Sequence, residues 1–311
     1  MTEKFKIGEY ALVGVRAALN QEMEILERFR EALEKADNVQ TCSKTRILTQ
    51  NSSNIGLSAA EMTFSLQTED QYMSLKAECA EFQGDWALLS EKTRKKQLLI
   101  CDMDSTIIAE ECLDELAAYA GIKDEIAAIT ARAMAGEIEF KAALIERVDK
   151  LKGLSIDVIE ACYQTRINLN PGAKTLVQTM KTKGALCLLV SGGFTAFTAK
   201  VAAAAGFHAN YANTLIDDGA HLSGTVAEPI LDRESKRDRL LLSCAQKGMS
   251  PEESLAIGDG ANDLDMIQAA GLGIAYKAKP IVASEADAQI TQTDLRAALL
   301  FQGYHADEFA G

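Results

Sequence analysis

Two carboxylates follow an apolar run near the middle of the chain. The run at 98–101 reads LLIC, long enough for a buried strand, and it leads directly into Asp102 and Asp104. Parallel α/β sheets place their functional groups at the carboxyl ends of their strands. Ionised carboxylates buried there need a cation or hydrogen bonds to replace lost hydration. Mg²⁺ prefers oxygen ligands and keeps positions open for a phosphate, so this segment predicts metal-assisted chemistry.

Polar residues follow two further strand-like runs, predicted over 185–190 and 254–257, and a lysine lies near the start of a predicted helix at 235–246. These residues are Ser191, Gly192 and Gly193, then Lys236, then Asp259, Asn262 and Asp263. Neighbouring strands of a parallel sheet end at the same edge, so we expect these groups to meet Asp102 and Asp104.

Together these residue types suit phosphoryl transfer through an enzyme intermediate. Asp102 can attack phosphorus if cations and amides mask the charges. Asp104 can protonate the leaving oxygen and later deprotonate water. Ser191 and the glycine amides can bind phosphate oxygens, since glycine allows close backbone approach. Lys236 can neutralise developing charge, and Asp259 can complete a metal site.

Each motif has a plainer interpretation when taken alone. A D-x-D pair also occurs as the metal site of nucleotide-sugar glycosyltransferases or as simple strand-end carboxylates. The sequence SGG at 191–193 is usually a turn, and charged residues on helices are usually solvated. The complete set in this order favours phosphoryl transfer over these alternatives.

The D-x-D-x-T pattern at 102–106, followed in order by Ser191, Lys236 and the GDGAND sequence at 258–263, resembles the motifs of the haloacid dehalogenase (HAD) superfamily. Within it, the chain resembles the phosphoserine phosphatases from about residue 98 to its C-terminus. The resemblance implies an α/β fold: a Rossmann-like core with a parallel sheet and a helical cap inserted after the first catalytic strand. It also implies Mg²⁺ and hydrolysis of O-phospho-L-serine through an aspartyl-phosphate, the last step of serine biosynthesis.

The resemblance also implies a role for each matching residue. Asp102 is the nucleophile and Asp104 the acid/base. The implied metal ligands are Asp102, Asp104 through its carbonyl, Asp259 and, in support, Asp263. The implied substrate-binding residues are Glu111 for the ammonium, Arg147 for the carboxylate, Met134 and Phe140 as pocket walls, and Ser191, Gly192, Lys236 and Asn262.

The N-terminal part, residues 1–93, is predicted to be a separate α+β domain. The pattern indicates strands at 10–19, 41–48, 61–66 and 85–89, helices at 21–36 and 70–82, and a turn at 50–54. This order is ferredoxin-like and resembles the ACT type of regulatory module. ACT modules often use a glycine in the turn between the first strand and the first helix to approach a ligand. The turn at 18–21 contains no glycine, which argues against binding of a regulatory amino acid by this part.

Residues 94–311 are predicted to form the phosphatase domain, with the cap at about 109–169. Helices are expected at 110–120, 123–134, 139–151 and 156–167 in the cap, then from 172 and over 194–205. A hairpin is expected around Asp217-Asp218-Gly219. The basic stretch at 92–96 is typical of a solvated linker.

Composition excludes several classes of partner. The chain has 311 residues and a formal net charge of -13, which argues against binding to nucleic acid or anionic membranes. Its seven cysteines are scattered without a C-x-x-C pair, which favours a reducing compartment. Neither a signal peptide nor an apolar run of membrane-spanning length is visible, so we expect a soluble, cytoplasmic protein.

Other functions remain open from the sequence. The same nucleophile would serve a HAD phosphotransferase, or a phosphatase acting on another small phosphomonoester. A regulatory binding protein with a sensing N-terminal module is a second class, although the catalytic residues are all present. A homodimer is also left open.

Overall fold

The computed structural model describes residues 5–36, 39, 44–49, 55–134 and 137–311. The side chain of Met134, the start of the strand predicted from Thr41 and the turn predicted at 50–54 lie outside the described residues. Within these ranges the strands form a four-stranded sheet, a six-stranded sheet and a two-stranded hairpin. In the same ranges, no helix has the length and apolar character needed to cross a membrane.

The N-terminal sheet is antiparallel and has the strand order β2-β3-β1-β4. Its elements are β1 (Gly8–Arg16), α1 (Glu22–Lys35), β2 (Lys44–Ile47), β3 (Ser58–Leu66), α2 (Glu69–Cys79) and β4 (Asp85–Ser90). The order strand-helix-strand-strand-helix-strand is the ferredoxin-like arrangement that the sequence predicts. The first strand ends at Arg16 rather than Leu19, and the chain then turns through Asn20, whose φ is +61°.

The second sheet is parallel and has the order β12-β11-β10-β5-β6-β7. Its strands are β5 (Leu98–Cys101), β6 (Leu186–Phe194), β7 (Ala209–Asn213), β10 (Ser254–Gly258), β11 (Leu272–Tyr276) and β12 (Ala288–Ile290). Between β7 and β10 lies the hairpin of β8 (Leu215–Asp217) and β9 (Leu222–Val226). The helices after the cap are α7 (Ala173–Thr182), α8 (Thr195–Ala205), α9 (Arg233–Lys247), α10 (Leu264–Ala269), α11 (Pro280–Glu285) and α12 (Ala297–Phe301).

The parallel sheet is covered on both faces, which explains why β5 is apolar throughout. Leu99 and Cys101 belong to one hydrophobic core, whereas Leu98 and Ile100 belong to another. Parallel strands buried on both sides are expected to be continuously apolar. Because β10, β5 and β6 are central neighbours, the residues that end them are brought to one place.

Four helices form the cap between β5 and α7: α3 (Cys112–Ala120), α4 (Lys123–Met134), α5 (Phe140–Asp149) and α6 (Asp157–Arg166). The segments that enter and leave the cap meet at a single antiparallel bridge between Ile108 and Leu169. The loop between α5 and α6 is hydrogen-bonded to the β8–β9 hairpin. The amide of Gly153 donates to the Leu222 carbonyl at 2.8 Å, and the amide of Leu222 donates to the Leu154 carbonyl at 2.9 Å.

Both faces of the N-terminal sheet are also buried. Tyr10 and Leu12 of β1 pack with α1 and α2, whereas Ala11, Val13 and Val15 pack in the core that includes α12. The N-terminal sheet therefore shares a hydrophobic core with the parallel-sheet part of the chain.

A buried aspartate fastens this contact. Asp85, 2% exposed, accepts hydrogen bonds from the backbone amides of Thr291, Gln292 and Thr293 and from both threonine hydroxyls. These groups follow β12, so the end of the parallel sheet closes around the start of β4.

A buried ion pair lies nearby. Glu61 of β3 is fully buried and pairs with Arg94 and Arg46. Arg94 also donates through Nε to the carbonyl of Phe301 at 2.8 Å. Arg94 follows the predicted domain boundary at residue 93, so its side chain links strand β3 to helix α12.

Candidate active site

The loop after β5 places the two carboxylates on different sides of the site. Asp102 is 5% exposed, and its amide donates to the carbonyl of Ile257 at 3.0 Å, which ties the loop to β10. Residues Met103–Ile107 form a wide turn in which Asp104 is extended and Ser105 has φ +54°. The Asp104 carboxylate accepts from the amide of Cys112 at 2.9 Å and from the Ser191 hydroxyl at 3.4 Å.

Lys236 lies against Asp102 on the other side. It sits in the first turns of α9, and its ammonium is 2.7 Å from Asp102 Oδ1 and 2.6 Å from Asp263 Oδ1. The lysine side chain is 2% exposed, so both pairs lie in a region of low dielectric. The sequence-predicted cation is therefore in contact with the sequence-predicted nucleophile.

Three carboxylates converge next to this lysine. Oxygens of Asp102, Asp259 and Asp263 lie within 4.8 Å of one another. Asp263 accepts from Lys236 and, through Oδ2, from the amides of Asp259 at 3.2 Å and Gly260 at 3.1 Å. Asp259 accepts a long hydrogen bond from the hydroxyl of Thr106, at 3.3 Å.

Burial and mutual repulsion perturb these carboxyl groups. Burial, with the charge of Asp263, raises the pKa of Asp102 well above its usual value. Burial and Asp263 also raise the pKa of Asp259 to about 6. Burial lowers the pKa of Lys236, but the adjacent carboxylates outweigh it and the net shift is upward. One ammonium thus faces three acids, which leaves excess negative charge in a buried place.

This donor set fits a divalent cation. Carboxylate oxygens are the ligands of hard cations such as Mg²⁺ and Ca²⁺, and a dication would offset the charge that Lys236 leaves uncompensated. Asp263 is already held by the lysine and two amides, so we expect it to orient the others. Asp102 and Asp259 are the carboxylates best placed to bind the ion directly.

Ser191 and the two glycines after it form the opposite wall. The Ser191 hydroxyl accepts from the amide of Gly193 at 2.8 Å while it donates to Asp104. A Cβ on Gly193 would lie 3.0 Å from Asp104 Oδ2, so a side chain there would crowd the acid. The carbonyl of Gly192 accepts from Asn213 Nδ2 at 2.8 Å.

The structure adds two residues that the sequence reasoning missed. Asn213, 1% exposed, joins the Gly192 carbonyl to the amide of Leu231 just before α9, so it links the Ser191 wall to the Lys236 helix. Thr106 bonds Asp259 across the site. The D-x-D-x-T pattern, which includes Thr106, could have indicated its role. Asn213 lies in a short strand, and no pattern in the sequence indicates a role for it.

The cap residues approach from the other side. The Phe140 ring lies over Gly192, since a Cβ there would be 3.5 Å from its Cζ. Glu111 is near enough to raise the pKa of both Asp104 and Asp259, and burial together with Glu111 raises that of Asp104 to about 6. Burial lowers the pKa of Arg147, against the influence of Asp114 and Glu111.

The remaining predicted residues are placed as follows. Asn262 is exposed, and its carboxamide oxygen lies against Gly260, where a Cβ would be 2.3 Å away. The backbone of Met134 ends α4, while its side chain lies outside the described residues. The cap is also joined to the core by an exposed ion pair between Lys141 and Glu228 at 3.0 Å.

The family model of haloacid dehalogenase-like hydrolases matches residues 96–271, which contain every one of these groups. The chain belongs to the haloacid dehalogenase-like hydrolases. This family assignment confirms the predicted Rossmann-like parallel core, and HAD phosphatases use a divalent metal, in agreement with the acidic cluster.

Known relatives of this hydrolase carry a more specific description. A phosphoserine phosphatase of Polaromonas sp. is 46% identical over 204 residues, 64% of this chain and 86% of that protein. A HAD family hydrolase from Salmonella enterica subsp. enterica serovar Typhi is similar in structure, with TM-score 0.80 and 29% identity over 96% of this chain and 99% of that one. A phospho-aspartyl intermediate analogue of phosphoserine phosphatase has TM-score 0.61 and 38% identity over 67% of this chain and 99% of that one.

Proposed function

We propose that this hydrolase converts O-phospho-L-serine and water into L-serine and phosphate, as the last step of serine biosynthesis. The observation that carries the proposal is the position of Asp102, held by Lys236 at 2.7 Å, with Asp104 hydrogen-bonded separately to Ser191. The relatives described as phosphoserine phosphatases supply the substrate.

In the first half-reaction an oxygen of Asp102 attacks phosphorus and the bond to the serine oxygen breaks. Asp104 donates its proton to that oxygen, so L-serine leaves and an aspartyl-phosphate remains. A carboxyl group whose pKa is about 6 exchanges its proton readily near neutral pH, as an acid/base requires. In the second half-reaction Asp104 takes a proton from water, the water oxygen attacks phosphorus, and Asp102 is released with phosphate.

The surrounding groups stabilise the charge on the phosphoryl oxygens. These oxygens would be bound by Lys236, the Ser191 hydroxyl and the amide of Gly192, with Asn262 completing this side of the site. Mg²⁺ bound by Asp102, the Asp104 carbonyl and Asp259, with Asp263 in support, would screen the negative charges that otherwise repel one another.

The cap residues read the serine part of the substrate. Arg147 suits the carboxylate because its guanidinium can bind it through two parallel hydrogen bonds. Glu111 suits the ammonium, and Phe140 and Met134 would wall the pocket. The core residues contact only the phosphate, which all phosphomonoesters share, so selectivity among them must come from the cap.

The same proposal includes the wider organisation of the chain. We propose an N-terminal ferredoxin-like domain over 1–93 and a phosphatase domain over 94–311, supported by the two separate sheets. A cytoplasmic location is supported by the free thiols of all six cysteines in the described ranges. The homodimer stays a prediction, which light scattering of the purified protein would test.

The experiment is a phosphate-release screen over small phosphomonoesters, with Mg²⁺ and with EDTA. We expect phosphoserine to have the highest kcat/KM and activity to require the metal. A higher kcat/KM for another monoester would refute the substrate assignment. Transfer of phosphate to an added alcohol in preference to water would favour the phosphotransferase alternative.

A further inference from the structure

Ser105 lies between the proposed acid/base and Thr106 in a conformation that serine rarely adopts. Its φ is +54° and its ψ is 4°, in the left-handed region. Glycine occupies this region without steric cost, whereas other residues are strained there. The conformation has a geometric result, because the turn at Ser105 brings the catalytic loop against the first residues of the cap.

Three hydrogen bonds join the loop to the start of α3. The amide of Ser105 donates to the Glu110 carbonyl at 3.2 Å, and the hydroxyl of Ser105 donates to Glu111 Oε1 at 2.8 Å. The amide of Cys112 donates to Asp104 at 2.9 Å. Asp104 and Ser105 of the catalytic loop are therefore hydrogen-bonded to the consecutive residues 110–112 at the start of the cap.

The contact with Glu111 is the one that bears on recognition. Glu111 is the N-cap residue of α3, yet within the described residues its side chain caps no helix amide. Its carboxylate accepts a hydrogen bond from Ser105 instead, and the amide of the next residue, Cys112, donates to Asp104. Glu111 therefore lies one residue from a direct contact with the proposed acid/base. An exposed glutamate without such a bond would sample several rotamers.

We propose that Ser105 is a positioning residue that holds the Glu111 carboxylate toward the ammonium of the substrate. The inference rests on the proposed function, because it assigns Glu111 to an ammonium-bearing monoester. The hydroxyl donates to Glu111 Oε1, and the ammonium would be bound by the other oxygen of the carboxylate. The left-handed backbone and the hydrogen bond to Glu111 thus occur at the same residue.

The test compares Ser105→Gly with Ser105→Ala on two substrates. Glycine keeps the left-handed backbone and loses the hydroxyl, whereas alanine loses the hydroxyl and keeps the strain. Loss of one orienting hydrogen bond should raise KM for phosphoserine about three- to tenfold in both variants, with kcat little changed. Hydrolysis of p-nitrophenyl phosphate, which has no ammonium, should keep its wild-type kcat/KM in both.

A double-mutant cycle completes the experiment. In a Glu111→Ala background, the Ser105 substitutions should add no further increase in KM for phosphoserine. Equal losses on both substrates, wild-type behaviour of the glycine variant, or additive effects in the cycle would overturn the role of Ser105. If the wild-type enzyme does not hydrolyse phosphoserine, the proposed function itself fails, and this inference fails with it.

Discussion

Replacing Lys236 by methionine should destabilise the metal-free protein strongly at alkaline pH. The ammonium is almost fully buried and contacts two carboxylates, at 2.7 Å and 2.6 Å. Methionine has a similar length, so the substitution removes the charge without opening a large cavity. Removing one partner of a buried ion pair costs about 3–5 kcal/mol, and we expect a loss of about 4 kcal/mol in the free energy of unfolding at pH 8.

The loss should shrink as the pH falls, and the sign follows from the direction of the pKa shifts. The pKa of Asp259 is raised to about 6 in the folded protein, above its usual 3.8. A group with a raised folded pKa favours folding fully below its unfolded pKa and loses that contribution as the pH rises through the folded value. Near pH 5, below the pKa of Asp259, that carboxyl group is mostly protonated, so the site carries less negative charge and loses less when the ammonium is removed. Burial and the charge of Asp263 shift the pKa of Asp102 in the same direction.

The assay is urea unfolding with EDTA at pH 8 and pH 5. Lys247→Met is the control, because Lys247 ends the same helix α9 and is exposed. We expect Lys236→Met to lose at least twice as much free energy of unfolding at pH 8 as at pH 5, and the control to lose little at either. Equal losses at the two pH values would refute the claim that charge balance among the buried acids dominates this site.

Three further predictions concern recognition, metal and the join between the sheets. Arg147→Ala should lower kcat/KM for phosphoserine by an amount equivalent to about 2–4 kcal/mol of transition-state stabilisation, the scale of losing a charge-assisted pair. The same variant should hydrolyse p-nitrophenyl phosphate nearly as well as the wild type. Equal losses on the two substrates would show that Arg147 has a structural role. The Mg²⁺ affinity measured by titration calorimetry should fall as the pH drops through about 6, because Asp259 must lose its proton to bind the ion. An affinity that does not change between pH 5 and pH 8 would contradict the assignment of Asp259 as a ligand. Asp85→Ala should lower the free energy of unfolding by about 3–5 kcal/mol, because it leaves three amides and two hydroxyls without their acceptor. Asp85→Asn should lower it less. A loss below about 1 kcal/mol for Asp85→Ala in chemical denaturation would show that the contact between the two sheets contributes little to stability.

The catalytic core was predictable because its residues lie at the ends of apolar strands. Asp102 and Asp259 directly follow β5 and β10, and a parallel sheet brings the ends of such strands together. Ser191 follows the strand predicted over 185–190 but lies within the longer observed strand β6, where the pairing with β7 becomes irregular after Val190. The four cap helices were predictable for a similar reason, since glycines separate their helical patterns. The short strands β11 and β12 carried no pattern that distinguishes a strand from a buried helix segment.

The contacts between distant segments could not be predicted from local patterns. Asp85 is bound by residues 291–293, and Glu61 by Arg94, across separations for which the sequence gives no register. The left-handed turn at Ser105 was hidden because serine does not mark such a turn as glycine would. These features depend on tertiary structure, which overrides local preference.

The central claim is that Asp102 carries the phosphoryl group, and rapid quenching with borohydride reduction tests it most directly. Borohydride converts an aspartyl-phosphate into homoserine, which mass spectrometry locates in the peptide. We expect homoserine at position 102 when the enzyme is quenched during turnover of phosphoserine, and none after Asp102→Asn. Homoserine at position 104, or steady turnover by Asp102→Asn above about a tenth of the wild-type rate, would contradict the account.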